Sequence, residues 1–597
     1  MAQARYIVGI DLGTTNSVLA YVDGTDADAA ISVFEVPQLT AAGSVERRSV
    51  LPSFLYLPAK EELGPDALAL PWGTPDEVVG HFARGRGAEV PMRLVSSAKS
   101  WLCYAGANRD APILPWNAPE DVAKLSPVEA SRRYLSHLRA AWDHAFPDAP
   151  LHQQEVLLTV PASFDPVARE LTARAAAAAG LEQITVLEEP QAAFYAWVES
   201  AGDEWRKALQ VGDLVLICDL GGGTTDFSLI AVRDERGELS LERIAVGDHI
   251  LLGGDNMDLA LAYHVREQLA AKGTTLDEWQ FRSLVLGCRE AKEHLLADPK
   301  AQSHAIALLG RGRKLIGGTV RTEIERADVD RILIDGFAPR CTLQDRPQAQ
   351  RRTALQEIGL PYASDPAITR HLASFLQRQG GGAKGSSAPL TAVLFNGGVT
   401  HADLLRQRLL DVIGSWFSER SGQIRVLHGD DPDHAVARGA VYYGLARRGR
   451  GIRIRGGTAR SYYVGIEAAM PAVPGMHPPI RALCVVPKGV EEGTELDMPP
   501  QEFGLLVGHP TDFRFLASAS RSEDEVGTLV EHWSEDELVE LAPLETSLTA
   551  EGSEEEVVPV RLQGKVTELG VLELWCVSRD GKQRWKLEFN VRGDDEA

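Results

Sequence analysis

The feature that most constrains this chain is a short glycine- and threonine-rich motif that occurs twice. The first copy, Asp-Leu-Gly-Thr-Thr-Asn-Ser, occupies residues 11–17, and the second, Asp-Leu-Gly-Gly-Gly-Thr-Thr-Asp, occupies residues 219–226. Each copy lies between two runs rich in β-branched residues, which is typical of the turn of a β-hairpin. Two such hairpins, far apart in one chain, predict a duplicated fold whose halves face each other across a cleft.

The composition of both turns is suited to binding an anion. Glycine lets successive backbone NH groups converge on one group, and threonine hydroxyls add hydrogen-bond donors beside them. We therefore predict a polyphosphate held between the two turns. The candidate residues are Gly13, Thr14, Thr15 and Asn16 in the first turn, and Gly221, Gly222, Gly223 and Thr224 in the second.

An aspartate opens each of the two turns, Asp11 in the first and Asp219 in the second. A bare carboxylate would repel phosphate, so a cation between them is expected, and oxygen ligands together with several waters suit Mg²⁺. A single aspartate could merely cap its turn. The pair is better explained as two metal ligands that act through water.

Two further glycine pairs supply backbone donors, Gly253-Gly254 and Gly397-Gly398. The second pair follows a predicted strand and precedes a predicted helix. A helix N-terminus in that position can hold the sugar or the α-phosphate of a nucleotide. Either pair alone is weak evidence for such a site.

Charge and cysteine spacing narrow the expected partners. The chain has 597 residues, with 84 acidic and 61 basic side chains and a formal charge of −23. Nucleic acid and anionic membranes are therefore not expected to bind. The six cysteines form no zinc-binding pattern, which fits a reducing compartment. The apolar segments are too short for a membrane span or a signal peptide, so a soluble cytoplasmic protein is expected.

The pattern of predicted secondary structure changes near Arg448. Strands and helices alternate before it, as in α/β proteins, and short alternating strands follow it. Residues 24–90, rich in glycine, proline, alanine and acids, are interpreted as loops and insertions that contain short strand candidates such as residues 53–57. The predicted domains are 1–448, in two lobes (about 1–212 with 430–448, and about 213–429), an Arg/Gly-rich linker at 449–460, and a β-rich domain at 461–597.

Taken in order, seven motifs resemble the nucleotide-binding domain of DnaK-type Hsp70 chaperones, which belong to the actin and sugar-kinase superfamily. The motifs are residues 9–17, 159–164, 188–193, 219–226, 252–255, 397–400 and 431–437. The resemblance implies an α/β bilobed actin-like ATPase domain with two ribonuclease-H-like halves. A smaller all-β, sandwich-like domain that binds substrate would follow. Strand-like residues 585–591 precede the end at Ala597, so no helical lid is expected.

The resemblance also assigns catalytic roles. Lys99 matches the family's catalytic lysine, and Glu189 matches a glutamate near the metal and the attacking water. Thr224 matches the threonine that contacts the γ-phosphate, and Asp226 a carboxylate near that water.

Further roles concern the adenosine and the communication between lobes. The adenosine-side residues implied by the resemblance are Lys292, His401 and Asp433, and Pro161 with Arg169 would relay the nucleotide state between the lobes.

Three departures from the family pattern stand out. The family's Cys-Glu-Arg-Ala-Lys reads Cys-Arg-Glu-Ala-Lys at residues 288–292, and the arginine expected to stack on adenine is His401. Arginine and glycine at 449–457 replace the hydrophobic linker that couples hydrolysis to peptide release. We therefore expect an altered adenosine pocket, and a coupling that is rewired or lost.

The implied function is that of an ATP-dependent, stress-response type of chaperone. Water would attack the γ-phosphate of ATP, with Mg²⁺ bridging the phosphates, and slow hydrolysis to ADP would switch the binding of an unfolded polypeptide or a dedicated protein partner, with possible co-chaperones. Two alternatives stay open: a small-molecule kinase of the same superfamily, and a nucleotide-regulated assembly protein of the actin type.

Overall fold

The structure is a computed structural model of the whole chain. The residues that it describes are 4–64, 66–104, 107–164, 166–235, 238–298, 300–309, 319–348, 360, 362–378, 390–417, 424–429, 431–452, 454, 458, 460–467, 479–490, 494–507, 510–518, 521, 523–534, 537–540, 544–547, 556–566 and 571–590. Residues 453, 455–457 and 459 of the predicted linker lie outside this set.

Two compact units divide the chain. The first comprises Met1–Leu241 and Ala245–Ile454, and the second comprises Glu242–Ile244 and Arg455–Ala597. The protein is a mixed α/β protein with several sheets, as predicted. The limits of the predicted domains, linker and lobes stay predictions. No helix in the described ranges has the length and apolar character required to cross a bilayer.

The chain up to Ile454 contains eighteen of the described strands. They are β1 (Tyr6–Leu12), β2 (Asn16–Asp23), β3 (Ser32–Val33), β4 (Val36–Ala41), β5 (Ser44–Arg48), β6 (Leu51–Pro52), β7 (Leu55–Tyr56), β8 (Val78–Val79), β9 (Leu94–Val95), β10 (Glu155–Val160), β11 (Ile184–Glu188), β12 (Leu214–Leu220), β13 (Thr225–Glu235), β14 (Glu238–Val246), β15 (Ser303–Leu308), β16 (Val320–Glu325), β17 (Ala392–Asn396) and β18 (Arg425–Leu427).

The same part of the chain contains twelve of the described α-helices. They are α1 (His81–Glu89), α2 (Ala98–Leu102), α3 (Pro127–Ala145), α4 (Pro166–Ala178), α5 (Glu189–Ala201), α6 (Trp205–Ala208), α7 (Gly254–Ala271), α8 (Glu278–Ala297), α9 (Arg326–Arg331), α10 (Ile368–Arg378), α11 (Asp403–Phe417) and α12 (Pro432–Arg447). A π-helical segment, Ile332–Phe337, continues α9.

Two sheets of the first unit share one plan. In each, an antiparallel hairpin is followed by two parallel strands, in the order β2-β1-β10-β11 and β13-β12-β17-β18. The register also repeats, because Asp11 lies opposite Thr159 of β10 and Asp219 lies opposite Asn396 of β17. The two aspartates therefore occupy equivalent places at the ends of equivalent strands.

Helix α12 packs closely on α5 and on β1. Asp431 caps its N-terminus by accepting from the NH of Asp433, and Pro432 occupies its first turn, where a missing NH costs nothing. A methyl group on Gly439 would overlap the backbone carbonyl of Ala192 in α5. Small residues on α12 thus allow close contact between the two helices.

The interpretation of residues 24–90 as loops and insertions is wrong in part: β7 lies within the strand candidate 53–57, but most of the regular structure was missed. This segment contains β3 to β8 and α1, and it contributes buried side chains such as Phe54 and Tyr56 to the core. Several of these strands are only two residues long, too short to show the alternation by which a strand is recognised in a sequence.

The regular elements described after residue 460 are strands: β19 (Ser461–Glu467), β20 (Ile480–Val486), β21 (Glu495–Leu496), β22 (Glu502–Val507), β23 (Pro510–Phe513), β24 (Phe515–Ser518), β25 (Leu529–Val530), β26 (Val539–Glu540), β27 (Leu544–Ser547), β28 (Glu556–Val566), β29 (Val571–Ser578) and β30 (Arg584–Asn590). One sheet has the order β25-β20-β19-β24-β26 and another β21-β28-β29-β30, with β22 beside β28. Both sheets contribute to one apolar core, for example through Tyr462 and Leu572.

Candidate functional site

A cavity of about 700 Å³ in the first unit is lined by both glycine–threonine turns. Of the residues predicted from the sequence, it is lined by Asp11, Gly13, Thr14, Thr15, Asn16, Lys99, Glu189, Asp219, Gly221, Gly222, Thr224, Gly254, Lys292, Gly397, Gly398, His401 and Asp433. Gly223, Gly253 and Asp226 are not part of this lining.

The two turns lie in contact with each other. A methyl group on Gly222 would overlap the hydroxyl of Thr15, and one on Gly223 would lie 2.9 Å from Cγ2 of Thr14. Both positions therefore need glycine, because a Cβ atom has no room there. The hydroxyl of Ser53 supports the first turn by donating to the carbonyl oxygen of Gly13 over 2.8 Å.

The pairs Gly253-Gly254 and Gly397-Gly398 both contact the second turn or the strand that leads into it. The NH of Gly254 donates to the carbonyl of Gly221 over 3.1 Å, and the NH of Asp255 to that of Gly222 over 2.7 Å. Gly397 has a φ of 84°, in the left-handed region, and a methyl group there would lie 2.7 Å from Oδ1 of Asp219. The carboxylate of Asp219 is thus held close to the backbone.

Four acids lie near Lys99 beside the two turns: Asp219 and Asp226 are buried, and Asp11 and Glu189 are half-buried. Burial, and next the charge of Glu189, raise the pKa of both Asp11 and Asp219, and burial also raises the pKa of Glu189 and Asp226. Burial opposes the charge of Lys99, but the carboxylates of Glu189 and Asp11 outweigh it and raise the pKa of the ammonium. Lys99 Nζ donates to Glu189 Oε1. The excess of buried negative charge, carried by oxygen donors, fits a divalent cation such as Mg²⁺.

Lys99 reaches this cluster from α2, a helix of one and a half turns. The residue before the helix, Ser97, has a φ of 53°, which is unfavourable for a residue other than glycine. Its hydroxyl donates to Oδ2 of Asp255 in α7 over 2.5 Å. This hydrogen bond ties the segment that carries Lys99 to the helix that supports the second turn.

Arg169 is fully buried under the loop that follows β10. Its Nε donates to the carbonyl of Phe164 over 2.9 Å, and its Nη2 to the carbonyl of Ala162 over 2.6 Å and to Glu188 Oε1 over 3.2 Å. The guanidinium therefore fixes the backbone on both sides of Ser163. The predicted relay between lobes through Pro161 and Arg169 stays a prediction.

Ser163 makes hydrogen-bond contacts with two side chains from other parts of the chain, Asp226 and His249. Its hydroxyl donates to Asp226 Oδ1 and lies 2.6 Å from Nδ1 of His249. Sequence reasoning missed both Ser163 and His249 as site residues. His249 precedes the pair Gly253-Gly254 by only a few residues, and that proximity was the one feature of the sequence that could have indicated a role in the site.

The opposite end of the cavity contains a compact network of ion pairs. Lys292 Nζ lies 2.6 Å from Asp258 Oδ1 and 3.1 Å from the carbonyl of Gly254. Arg289 Nε donates to Asp258 Oδ2 over 2.6 Å, and its Nη2 donates to Asp255. The exchange of glutamate and arginine noted in the sequence therefore supplies the cation that neutralises these two aspartates.

At the mouth of the cavity, His401 Nε2 lies 3.3 Å from Oδ2 of Asp433. The hydrogen bond with Asp433 raises the pKa of His401, and the same bond lowers the pKa of the carboxyl. His401 follows β17 and Asp433 begins α12. Two of the three predicted adenosine-side residues are thus brought together, one from the turn after β17 and the other from the first turn of α12.

A model of one protein family, described as Hsp70 protein, matches residues 7–341. Among curated proteins, the chaperone protein HscA homolog of Janthinobacterium sp. (strain Marseille) is 31% identical over 317 residues, which are 52% of this chain and 45% of that relative. HscA of Salmonella paratyphi C is 32% identical over 275 residues, 45% of this chain and 38% of the relative.

A longer match is to the HscA homolog of Burkholderia thailandensis, at 29% identity over 451 residues, which are 74% of this chain and 58% of that protein. The chain thus spans about half the length of the curated relatives it matches.

Proposed function

This chain belongs to the Hsp70 family, as its motifs predicted, and we propose that it is an ATP-dependent chaperone whose first unit binds and hydrolyses ATP. One observation carries the proposal: the two glycine–threonine turns lie face to face on one cavity, beside four carboxylates and Lys99. Such a site offers backbone and hydroxyl donors to a polyphosphate, and oxygen donors to a cation.

Proteins of this family bind ATP or ADP with Mg²⁺. In this chain Gly13 to Asn16 and Gly221 to Thr224 would hold the phosphates, and Asp11 and Asp219 would hold the metal through water. When bound, Mg²⁺ neutralises phosphate charge and so lowers the barrier to attack. Both aspartates line the cavity, and each has a neutral hydrogen-bond partner, Thr159 for Asp11 and Asn396 for Asp219.

The remaining residues would act on the attacking water and on the transferred charge. Lys99 is buried and its charged form is favoured, so it can stabilise negative charge on the γ-phosphoryl oxygens. Glu189 and Asp226 would orient the water and accept its proton. The Thr224 hydroxyl hydrogen-bonds Asp226 and lines the cavity, which suits a contact with the γ-phosphate.

The nucleoside would occupy the end of the cavity lined by Lys292, Gly254, Gly397, Gly398, His401 and Asp433. An imidazole can stack on a base, but it lacks the planar fork and the permanent charge of arginine. His401 would therefore recognise adenine differently from the arginine expected there.

We assign the binding of an unfolded polypeptide or of a dedicated protein partner to the strands after residue 460, as a sandwich-like domain. In the first unit, the proposed arrangement is that of two actin-like, ribonuclease-H-like lobes that close on the nucleotide. Closure would pass through Pro161 and Arg169 and would change the affinity for polypeptide.

The deciding experiment measures phosphate release from Mg²⁺-ATP by the full chain, with and without an unfolded polypeptide. We expect slow release that is abolished in Lys99→Ala and strongly reduced in Thr224→Ala, whereas Lys124→Ala, at an exposed lysine, behaves as the unaltered protein. Release that is absent, or that survives both substitutions, contradicts the proposal. Phosphorylation of a metabolite mixture would favour a kinase, and ATP-dependent sedimentation of filaments would favour an actin-type protein.

A further inference from the structure

A serine, a histidine and an aspartate to which the proposed ATPase site gives no role are joined in one row of hydrogen bonds. Ser49 lies between β5 and β6, His434 lies in the first turn of α12, and Asp431 caps that helix. His434 Nε2 lies 3.1 Å from Ser49 Oγ, and its Nδ1 lies 3.2 Å from Asp431 Oδ2. The imidazole therefore contacts the hydroxyl with one nitrogen and the carboxylate with the other.

The order of these contacts is the one by which a serine becomes a nucleophile. Both distances lie within the reach of a nucleophile and its base, roughly 2.6–3.2 Å. The sequence of groups, hydroxyl, imidazole and carboxylate, recurs in acyl-transfer enzymes of unrelated folds. Ser49 and His434 are 385 residues apart along the chain. Tertiary packing of α12 beside the loop between β5 and β6 thus assembles the row.

The carboxylate of Asp431 fixes where the proton of the imidazole lies. An ionised carboxylate only accepts hydrogen bonds, so it favours the neutral tautomer that carries its proton on Nδ1 of His434. Nε2 then presents a lone pair, and the hydroxyl of Ser49 donates to it. The other carboxylate oxygen, Oδ1, accepts from the backbone NH of Asp433 over 3.0 Å. The carboxylate is thereby held with Oδ2 towards the ring.

Small molecules can reach this row from solvent, and its charges limit which ones. Ser49 is half-buried, and the side chains of His434 and Asp431 are 21% and 49% exposed. Asp431 and the nearby Asp433 place two carboxylates beside the imidazole, and His401 pairs with Asp433. Negatively charged substrates are repelled from such a position. An acyl donor that reaches Ser49 is therefore small and carries no negative charge.

We propose that Ser49 accepts an acyl group from small, uncharged activated esters, an activity separate from ATP hydrolysis. Ser49 Oγ forms a bond to the carbonyl carbon of the ester as its proton passes to Nε2 of His434. The ester C–O bond breaks, and the alcohol leaves with that proton. Water then attacks the acyl-serine and gives a proton to Nε2. This proton returns to Oγ as the carboxylic acid leaves, so both side chains are regenerated without oxidation or reduction.

Ser49 and His434 are the catalytic residues of this reaction, and Asp431 is a positioning residue. Asp431 keeps the proton of the neutral ring on Nδ1, so that Nε2 is free to accept. When the ring takes the proton of Ser49, the same carboxylate lies 3.2 Å from the imidazolium and balances its charge.

The test treats the full chain with an alkyl fluorophosphonate, in which Oγ replaces fluoride on phosphorus, and with p-nitrophenyl acetate. Mass spectrometry of the digested protein locates the label. Ser49→Ala and His434→Gln remove the nucleophile and the base. Ser44→Ala is the first control, because Ser44 is exposed at the start of β5. His264→Gln is the second, because His264 also pairs with an aspartate, at 3.0 Å from Asp328.

We expect the label on Ser49 and its loss in Ser49→Ala. His434→Gln should slow labelling about 100-fold or more, the scale of general-base catalysis, whereas both controls should react as the unaltered protein does. Labelling of the unaltered protein should slow at acid pH, where the imidazolium cannot accept a proton, and His434→Gln should lose this dependence.

Asp431→Asn separates positioning from a purely structural role. Asparagine caps a helix about as well as aspartate, so α12 should keep its start and the protein its thermal midpoint. An amide does not hold the proton on Nδ1, so the maximal rate of labelling should fall at least about 10-fold at unchanged affinity for the probe. An unchanged maximal rate would show that Asp431 only caps the helix.

The absence of label on Ser49, or labelling that is equally fast in His434→Gln, would overturn the proposal. His434 would then only tie α12 to the loop between β5 and β6. Phosphate release from ATP is not among these readouts, so success or failure of the proposed ATPase leaves the result unchanged. If Ser49→Ala does not fold, the position of the label in the unaltered protein and the rate of His434→Gln decide the question.

Discussion

The hydroxyl of Ser97 donates to the carboxylate of Asp255 over 2.5 Å, and this contact joins the helix that bears Lys99 to the helix that supports the second phosphate-binding turn. Ser97 makes it from a left-handed backbone conformation, with a φ of 53°. Such a conformation costs a non-glycine residue roughly 1–2 kcal/mol. The hydrogen bond to a charged acceptor offsets that cost, since such bonds contribute about 1.5–3 kcal/mol.

Ser97→Ala and Ser97→Gly should separate the two effects. Both substitutions remove the hydrogen bond, so both should slow hydrolysis by loosening Lys99. Alanine retains the backbone strain, and we expect it to lower the free energy of unfolding by about 2 kcal/mol. Glycine removes the strain and should cost about 1 kcal/mol less than alanine. Urea unfolding measures the free energy of unfolding, and phosphate release measures the rate of hydrolysis. Unchanged release in both variants would show that this contact does not position Lys99.

Arg289 is expected to be essential for the stability of the first unit. It lies between Asp255 and Asp258, is buried, and packs its guanidinium over the ring of Phe54 at 5.5 Å. Arg289→Met leaves a buried ion network without its central cation, which typically costs about 3–5 kcal/mol. Arg289→Glu, which restores the residue type that the related motif has at this place, should cost more because it adds a third carboxylate.

Arg331→Met provides the control for the Arg289 variants, because Arg331 forms an exposed ion pair with Asp328 and such pairs contribute roughly 0–1 kcal/mol. Thermal unfolding measures all three variants. If Arg289→Glu proves as stable as the unaltered protein, the network is not the source of stability at this end of the cavity.

The two hairpins and their turns could be predicted from the sequence, because glycine, threonine and β-branched residues act locally on the backbone. Their repeated register, with Asp11 opposite Thr159 and Asp219 opposite Asn396, joins distant strands and does not follow from that local pattern. The roles of Lys99 and Glu189 could be predicted only through the resemblance to a family, since neither residue has a distinctive local sequence.

Contacts between distant segments could not be predicted in the same way. Ser163 and His249 are separated by 86 residues, and no local pattern indicates that their side chains meet. The pairing of Arg289 with two aspartates depends on how α7 packs against α8. The exchange of glutamate and arginine in α8 was visible in the sequence, but its partners were not.

Gly222→Ala should weaken ATP binding at least about 10-fold, which corresponds to about 1.4 kcal/mol. A Cβ atom at this position would overlap the hydroxyl of Thr15, so the two turns would have to separate and their NH groups would no longer converge. Gly414→Ala in α11 is the control, because nothing lies within 4 Å of a Cβ atom there; it should stabilise the helix slightly. Titration with a fluorescent ATP analogue measures the affinity, and equal affinities in both variants would contradict the predicted contact between the turns.

His137 should make the stability of the first unit depend on pH below neutrality. It lies buried in α3, with Nε2 3.0 Å from the carbonyl of Pro37, and burial lowers its pKa from 6.5 to about 4. The unfolded chain binds a proton on this imidazole more readily than the folded chain does. The contribution of the neutral His137 to the free energy of unfolding is therefore complete above pH 6.5 and is lost as the pH falls towards 4. The loss across this window should be about 3 kcal/mol, and it should be absent in His137→Gln, whose side chain does not titrate. Urea unfolding of both proteins at several pH values measures the difference, and parallel curves between pH 4 and 6.5 would show that His137 is not held in its neutral form.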